Sequence, residues 1–221
     1  VTIMHHDNPL QAFIDYDRIN TRIVRVAHTK IFEKQDLKYA FHRQHVDLVE
    51  AYLRVCYLTP SKPIQKWLEH PGLLGRAQQF SWCQQRQIIV DYAHTPKALE
   101  FVSEILKTLY PNAPLWIMFG CGGDRDRMKR PQMLSCAVQF ADKVIITEDN
   151  NRTEPFKTIV DDMLASAGPE HLSKIIIEPY RPLAWKLLYD NLPQGGIALA
   201  AGKGAEFYTG LSKNVSLNTD L

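Results

Sequence analysis

The stretch QIIVDYAHTPKALEFVSEILKTLYPNAPLWIMF, residues 87–119, decides the predicted fold because it holds a strand pattern, a helix pattern and a second strand pattern in succession. Its β-branched opening predicts a short strand. Thr95 followed by Pro96 is typical of a helix start. The apolar residues that then recur at helical spacing are Ala98, Phe101, Val102, Ile105 and Leu109. The run LWIMF, residues 115–119, is apolar throughout, which predicts a strand covered on both faces.

The same alternation continues through the rest of the chain. Three further strand patterns are KVIIT at 143–147, KIIIE at 174–178 and GIALAA at 196–201, and three further helix patterns lie at 130–141, 154–167 and 181–192. Continuous apolar strands separated by helices indicate a parallel sheet with right-handed crossovers. We therefore predict an α/β fold with a Rossmann-like, mostly parallel sheet, whose ligands bind beyond the carboxyl ends of the strands.

The first part of the chain does not read as a complete domain. RIVRVAH at 22–28 predicts a strand, HVDLVEAYLRVCYL at 45–58 and SKPIQKWLEH at 61–70 have helical spacing, and PGLLGRAQQF at 71–80 reads as a connector. We predict that residues 1–82 are the end of a preceding domain plus a linker, and that residues 83–221 form the Rossmann-like domain. The chain starts at Val1 rather than Met, which we interpret as a boundary within a longer protein.

Composition excludes several classes of protein. The 221 residues are 45% hydrophobic and 23% charged with a net charge of +2, so no bulk charge favours nucleic acid or a membrane as a partner. No apolar run approaches the ~20 residues of a membrane-spanning helix. Cys56, Cys83, Cys121 and Cys136 form no CxxC pair and show no zinc-ligand spacing with the histidines. We expect free thiols in a reducing cytoplasm and no metal site.

The loop FGCGGDRDRMKRP, residues 119–131, combines three glycines with six charged residues and leaves three explanations open. Gly120 and Gly122 fit the dinucleotide motif G-x-G-x-x-G, but Arg125 occupies its third glycine position. A solvated turn would use the glycines for positive φ. An anion-binding loop would use them to let a ligand approach the backbone, and would use Arg125 to grip a carboxylate or phosphate.

Two other strand ends carry informative residues. Asp91 and His94 follow the strand at 87–92, where the carboxylate binds either backbone amides or a ribose hydroxyl. Arg152 lies beside a helix N-terminus, where a cation is unfavourable, and this cost hints at an anionic partner. The last strand end, GGIALAAGKGAE at 195–206, has neither the spacing nor the hydroxyl residue of the phosphate-binding motif G-x-x-x-x-G-K-[ST], and that motif occurs nowhere in the chain.

Four motifs together resemble the Mur ligase family, and within it the members that add meso-diaminopimelate. They are DYAHTPKALE at 91–100, FGCGGDRDRMKRPQM at 119–133, ADKVIITEDNNRTEP at 141–155 and GKGAE at 202–206, in the order and nearly the spacing of that family. LLGRAQQF at 73–80 is similar to the family's linker. The resemblance covers residues 72–208, and the combination is specific although each motif alone is not.

The resemblance implies a function for a longer protein. Mur ligases have a UDP-binding domain, a central ATPase domain and a Rossmann-like C-terminal domain, and residues 1–82 would be the C-terminal remnant of the central one plus the linker. The implied activity is ATP-dependent addition of meso-diaminopimelate to UDP-N-acetylmuramoyl-L-alanyl-D-glutamate through an acyl-phosphate, in cytoplasmic peptidoglycan synthesis. Phosphate and Mg²⁺ ligands would lie outside this chain, so we expect no catalytic residue here and no ATP turnover by the chain alone.

The same resemblance assigns site residues. It places Arg76 and Asp91 at the ribose and phosphates of ATP, with His94 and His45 at the same site. It places the incoming amino acid against Arg125, Asn150, Arg152, Gly202 and Glu206. An arginine at position 152 implies meso-diaminopimelate rather than lysine, because lysine-adding members lack this ligand for the distal carboxylate. Glu206 would receive the distal ammonium.

The chain departs from the family pattern at three positions. Asn151 replaces the proline of D-N-P-R, Ala205 replaces the histidine of G-K-G-H-E, and His45 stands where an asparagine is usual. These departures keep an alternative open, a divergent or non-catalytic Mur-like binding module, and a dinucleotide-binding oxidoreductase domain is a weaker one. The remaining loop charges either fix the loop or face water, and we expect Arg127 and Lys129 to face water.

Overall fold

The computed structural model describes residues 2–5, 23–26, 52 and 74–204, and the chain divides into two compact units, residues 1–72 and 73–221. In the first unit, strands β1 (Thr2–His5) and β2 (Ile23–Val26) pair in parallel. The strand predicted at 22–28 is therefore confirmed by β2. The helices predicted at 45–58 and 61–70 lie outside the described residues, apart from Tyr52, which is helical.

The second unit is built on a six-stranded sheet with the order β3-β4-β8-β5-β6-β7. Its strands are β3 (Gln78–Ser81), β4 (Gln87–Asp91), β5 (Leu115–Phe119), β6 (Lys143–Ile146), β7 (Ile175–Ile177) and β8 (Ile197–Ala201). Strands β4 to β8 are parallel, and β3 pairs antiparallel with β4. The predicted α/β fold with a mostly parallel sheet is confirmed, and β8, the last strand of the described residues, lies between β4 and β5.

Four long helices connect these strands, as predicted, and a fifth short one is added. They are α1 (Pro96–Leu109), α2 (Lys129–Phe140), α3 (Phe156–Leu164), α4 (Pro169–Leu172) and α5 (Arg181–Asn191). Thr95 caps α1, because its hydroxyl accepts a hydrogen bond from the Ala98 amide at 3.2 Å. No helix in the described part of the chain is long and apolar enough to cross a membrane.

The core lies between the sheet and the helices on its two faces. All five residues of β5 and all five of β8 are buried, which is the pattern expected of central strands covered on both sides. The buried face of α1 is turned slightly from the predicted one: Leu99 and Leu106 are fully buried, whereas Ala98, Phe101 and Leu109 are only partly covered.

The second unit begins at residue 73, ten residues before the predicted boundary at 82/83. The difference arises because β3, predicted as connector, pairs along its whole length with β4 from Gln78↔Val90 to Ser81↔Gln87. The assignment of residues 1–82 to the end of another domain stays a prediction.

Candidate functional site

An open cleft of about 510 Å³ lies beyond the carboxyl ends of β4, β5, β6 and β8. This is the edge of a parallel sheet at which ligands bind in such folds. Five of the residues predicted from the sequence line it together: His94, Arg125, Asn150, Arg152 and Gly202. Of the other predicted residues, Arg76 and Asp91 lie beside the cleft without lining it, and His45 and Glu206 lie outside the described residues.

Two loops form the wall of the cleft that carries the arginines. We name residues 120–128 the β5 loop and residues 147–155 the β6 loop. Gly122 in the β5 loop lies close to both arginines, because a Cβ placed on it would be 3.0 Å from Arg152 Nη1 and 3.6 Å from Arg125 Cγ. Both arginines line the cleft. The predicted pair of guanidinium groups is thus brought to one cleft.

The two arginines differ in how they are held. Arg152 has a left-handed backbone, with φ of 51°, and its Nη1 donates to the carbonyl oxygens of Gly123 at 2.7 Å and Asn150 at 3.2 Å. Its Nε and Nη2 hydrogens are the donors that remain for a ligand among the described residues. Arg125 is exposed at the cleft rim. One guanidinium is therefore fixed by backbone carbonyls, and the other is free to adjust.

The glycines of the β5 loop are explained mainly by the neighbouring β6 loop. A Cβ on Gly120 would overlap the carbonyl oxygen of Thr147, and one on Gly123 would overlap that of Asn151. We expected these glycines to admit a ligand to the strand end, but at Gly120 and Gly123 the group that approaches closely is protein backbone. Gly122 lies against the arginines instead, and at this position the side chain of Arg152 takes the space.

Asn150 supplies an acceptor that faces no donor within the described residues. The side chain is 7% exposed and lines the cleft, and its Oδ1 is buried without a hydrogen-bond partner. Leaving such an acceptor unpaired costs about 1–3 kcal/mol. The Asn150 amide is therefore a candidate partner for a ligand ammonium.

The residues predicted to bind ATP lie at the β4 end of the cleft. Both Asp91 carboxylate oxygens accept backbone N–H groups, from Ala77 and Ala93, each at 2.8 Å. The sequence left open whether this carboxylate binds backbone amides or ribose, and the amide contacts are present.

An aromatic ring joins two of the other residues predicted to bind ATP. The Arg76 guanidinium lies 4.4 Å from the ring centre of Tyr92, and the His94 ring meets the same tyrosine edge-on with centroids 4.9 Å apart. His94 Nδ1 lies 2.9 Å from the Tyr92 carbonyl oxygen, so this nitrogen carries the proton and donates. Nε2 of His94 is then the ring nitrogen that remains for a ligand.

Two loop charges do not behave as predicted. Lys129, expected to face water, lines the cleft and donates to the His94 carbonyl oxygen at 3.1 Å. Arg127 is 59% exposed, but its guanidinium makes a bidentate pair with Asp162 at 2.7 and 2.8 Å. Both partners lie 35 residues away in the chain, so no local pattern could have identified them.

Sequence reasoning also did not assign the acidic side chains of the cleft. Asp126 and Asp149 both line it. Asp149 stands at the carboxyl end of a predicted strand, so the position itself was a usable signal. Together with the arginines, these carboxylates give the cleft both signs of charge, which suits a ligand that is itself zwitterionic.

Cysteine chemistry is absent from the described part of the site. Cys83, Cys121 and Cys136 are free thiols, and Cys56 lies outside the described residues. Burial raises the pKa of Cys121, which lines the cleft, to about 12, so it stays protonated and is a poor nucleophile. Within the described residues, no three His, Cys, Asp or Glu side chains are placed to hold a metal ion.

Comparison with known proteins gives one consistent result. The family model "Mur ligase, glutamate ligase domain" matches residues 75–204. A relative from Haemophilus influenzae (strain PittEE), named UDP-N-acetylmuramoyl-L-alanyl-D-glutamate--2,6-diaminopimelate ligase, is 43% identical over 137 residues, which are 62% of this chain and 28% of the relative. The chain thus spans little more than a quarter of that relative's length.

Solved structures agree with the fold. A structure of a ligase with the same name is 28% identical, with a TM-score of 0.59, and the match covers 94% of this chain and 48% of that one. A bifunctional folylpolyglutamate synthase/dihydrofolate synthase from Yersinia pestis, complexed with AMPPNP and a Mn ion, shares the fold at 19% identity and a TM-score of 0.54, over 71% of this chain and 36% of that one.

Proposed function

The chain belongs to the Mur ligase family through its glutamate ligase domain, and on that premise we propose that it is the amino-acid-binding part of an ATP-dependent ligase. The proposed reaction joins meso-diaminopimelate to UDP-N-acetylmuramoyl-L-alanyl-D-glutamate in peptidoglycan synthesis. The name of the Haemophilus influenzae relative supports this substrate pair. Because the chain spans 28% of that relative, the UDP-binding and phosphate-binding parts would come from outside it.

The observation that carries the proposal is that Arg125 and Arg152 line one cleft and both lie close to Gly122. meso-Diaminopimelate bears a carboxylate and an ammonium at each end. A guanidinium grips a carboxylate with paired, charge-assisted hydrogen bonds, which are about twice as strong as neutral ones. Two guanidinium groups in one cleft therefore suit a ligand with two carboxylates, and the Asn150 and Asp149 oxygens suit its ammonium groups.

The role of these residues in catalysis would be to hold and orient the amine. ATP supplies the phosphoryl group that activates the acyl carboxylate. The cleft fixes both acidic ends of the amino acid, so one amino group is directed at the activated carbonyl and the reaction becomes effectively intramolecular. Polar groups that are already bound to the backbone, such as Arg152, need little reorganisation when the substrate arrives.

The β4 end of the cleft has groups that fit part of ATP. The Arg76 guanidinium, which lies over the Tyr92 ring, would donate to a phosphate or ribose oxygen, and the Asp91 carboxylate would accept from a ribose hydroxyl. No three His, Cys, Asp or Glu side chains of the described residues are grouped to hold a metal ion, and the resemblance places the Mg²⁺ ligands outside this chain. ATP, with its Mg²⁺, would contact this chain only at the β4 end of the cleft.

A chimeric enzyme tests the proposal. Residues 72–208 of this chain would replace the matching part of the Haemophilus influenzae ligase, and ADP release would be followed with meso-diaminopimelate or L-lysine as acceptor. We expect meso-diaminopimelate-dependent turnover. In the chimera, Arg152→Ala should lower kcat/KM for meso-diaminopimelate by about 10- to 100-fold, as expected for the loss of about 1.5–3 kcal/mol in a charge-assisted hydrogen bond. L-lysine should be affected far less.

Arg127→Ala is the matched control, because this arginine is paired with Asp162 and does not line the cleft. It should leave the substrate preference unchanged. If Arg152→Ala lowered kcat/KM equally for both amino acids, this residue would not be the one that binds the distal carboxylate. A chimera that binds meso-diaminopimelate without turnover would favour the alternative, a non-catalytic binding module.

A further inference from the structure

We propose that Arg130 is a positioning residue that locks the β5 loop to the β6 loop and thereby fixes the separation of the two ligand-binding arginines. The inference rests on the proposed function, because it assigns a role to Arg130 in that same cleft. Arg130 does not line the cleft, so it would act through Arg125 and Arg152 and not through contact with the amino acid.

The Arg130 guanidinium is fully buried in the first turn of α2 and contacts both loops. It makes a bidentate pair with Glu154 of the β6 loop, with Nη1–Oε1 at 2.7 Å and Nη2–Oε2 at 2.6 Å. Nη2 also donates to the carbonyl oxygen of Gly122 in the β5 loop at 3.1 Å, and Nη1 donates to Asp162 of α3 at 2.7 Å. One planar group thus connects two loops and a helix.

Arg130 contacts the backbone of Gly122, and Gly122 is the part of the β5 loop that lies against the two ligand-binding arginines. Gly122 lies close to both arginines, because a Cβ placed on it would be 3.0 Å from Arg152 Nη1 and 3.6 Å from Arg125 Cγ. A shift of the Gly122 carbonyl would move the β5 loop relative to Arg152. Arg130 therefore holds the backbone of a residue that lies close to both arginine side chains.

The carboxylate that pairs with Arg130 is itself shared between the loops. Glu154 Oε2 accepts from Arg130 and also from the backbone N–H of Asp124 at 3.1 Å. Asp124, with φ of 51°, in turn accepts from the Thr153 amide at 3.0 Å and the Thr153 hydroxyl. The two loops are also joined directly, because the Gly123 amide donates to the Asn150 carbonyl oxygen at 2.9 Å.

The energetic cost of this cluster argues for a positional role. Arg127, Arg130, Glu154 and Asp162 balance in charge, but a buried ion pair is rarely a better stabiliser than apolar side chains of the same volume. What a bidentate guanidinium adds is direction, since it fixes its partners in one plane at set distances. A cluster built for stability alone has no need for the contact to the Gly122 carbonyl.

Positioning has a consequence that depends on the ligand. An amino acid with two carboxylates needs both guanidinium groups at the right separation, whereas L-lysine, with one carboxylate, needs only one. A misplacement of about 1 Å in a positioned site costs on the order of 100-fold. Loosening the loops should therefore reduce the preference for meso-diaminopimelate over L-lysine, an effect that uniform destabilisation would not produce.

The test uses this 221-residue chain, labelled with ¹⁵N, in two measurements. The first is amide hydrogen exchange at Gly123 and Thr153, whose N–H groups join the loops. The second is titration with meso-diaminopimelate and with L-lysine, read as the ratio of the two dissociation constants. The variants are Arg130→Met and Glu154→Gln. Arg127→Ala is the control, because it removes a contact between the β5 loop and α3 and leaves the contacts between the two loops in place.

In Arg130→Met and Glu154→Gln, we expect exchange at both amides to rise about 10-fold or more, as local opening becomes easier. The preference for meso-diaminopimelate should fall by about 10-fold. Arg127→Ala should change neither. If Arg130→Met does not fold, Glu154→Gln decides alone, because it keeps the size of the side chain and removes only its charge.

Unchanged exchange and an unchanged ligand preference in the variants would overturn the role of Arg130. Faster amide exchange with an unchanged preference for meso-diaminopimelate would also overturn it. In that case Arg130 would join the two loops without affecting how the ligand binds. Failure of the unaltered chain to bind meso-diaminopimelate would instead overturn the proposed function, and the exchange measurement would still decide whether Arg130 joins the loops.

Discussion

At Gly120 the chain leaves β5 at a point where the Thr147 carbonyl oxygen of the β6 loop occupies the space of a Cβ. The sequence pattern correctly placed a glycine-rich turn at the sheet edge, but it could not show which group approaches. A glycine is needed at such a position whether the group that comes close is a ligand or protein backbone, so the sequence does not tell the two cases apart. Only the pairing of β5 with β6 distinguishes them.

Gly120→Ala should destabilise the protein by about 1–3 kcal/mol, because the added methyl group meets backbone that cannot rotate away. Gly168→Ala is the matched control. A Cβ at Gly168 meets only the end of the flexible Glu170 side chain, and its φ of −72° suits alanine. The control should change the free energy of unfolding, measured in urea, by less than about 0.5 kcal/mol. Equal losses of stability in Gly120→Ala and Gly168→Ala would show that the close contact with the Thr147 carbonyl oxygen does not determine the cost of the substitution.

Residue-level prediction succeeded where position in the fold was informative and failed where a partner was remote. His94, Arg125 and Arg152 were identified because residues at the carboxyl ends of parallel strands share one edge. The partners of Arg127 and Lys129 could not be inferred, because long side chains reach residues 35 positions away. The contact roles of Arg76, Asp91 and the cleft residues toward ligands stay predictions.

At the scale of elements, the two loops and α3 are linked by carboxylates whose charge matters. Pairing with Arg130 lowers the pKa of Glu154 to about 2 from its ordinary value of 4.5, and pairing with Arg127 lowers the pKa of Asp162. A carboxylate with a lowered pKa in the folded state stabilises that state at pH values above its unfolded pKa. This contribution is lost as the pH falls through the folded pKa.

The free energy of unfolding should therefore decrease as the pH falls from about 4.5 toward about 2, with part of the decrease due to Glu154. In Glu154→Gln this titration is absent. The variant should be less stable than the unaltered chain near neutral pH, and the two stabilities should converge toward pH 2. Urea unfolding at a series of pH values checks this. Two curves that stay parallel across the window would show that the ion pair with Arg130 does not stabilise the fold.

Elements were predicted from the sequence when their apolar pattern was strong. The five parallel strands and four long helices were found because the strands are continuous apolar runs and the helices have a periodic face. Strand β3 was missed because its residues, QQFS, are mostly exposed and its pairing with β4 uses backbone groups that every residue has. An edge strand of this kind leaves no periodic signal.

At the scale of the whole molecule, the sheet order is the feature that the sequence pattern did not specify. Strand β8 lies between β4 and β5, so the last strand of the described residues returns to the centre of the sheet. This brings Gly202 to the same edge as the β5 and β6 loops, and it completes the cleft. Strand order depends on pairing between distant segments, and periodicity within each segment carries no information about it.

The central claim is that one cleft binds both carboxylates of meso-diaminopimelate through Arg125 and Arg152. It is tested most directly by following the side-chain Nε–H resonances of the arginines in ¹⁵N-labelled chain during titration with meso-diaminopimelate. We predict saturable shifts at both Arg125 and Arg152, little change at Arg127, and a smaller response of the pair to L-lysine. Shifts at neither arginine, or shifts no larger than those at Arg127, would contradict the claim.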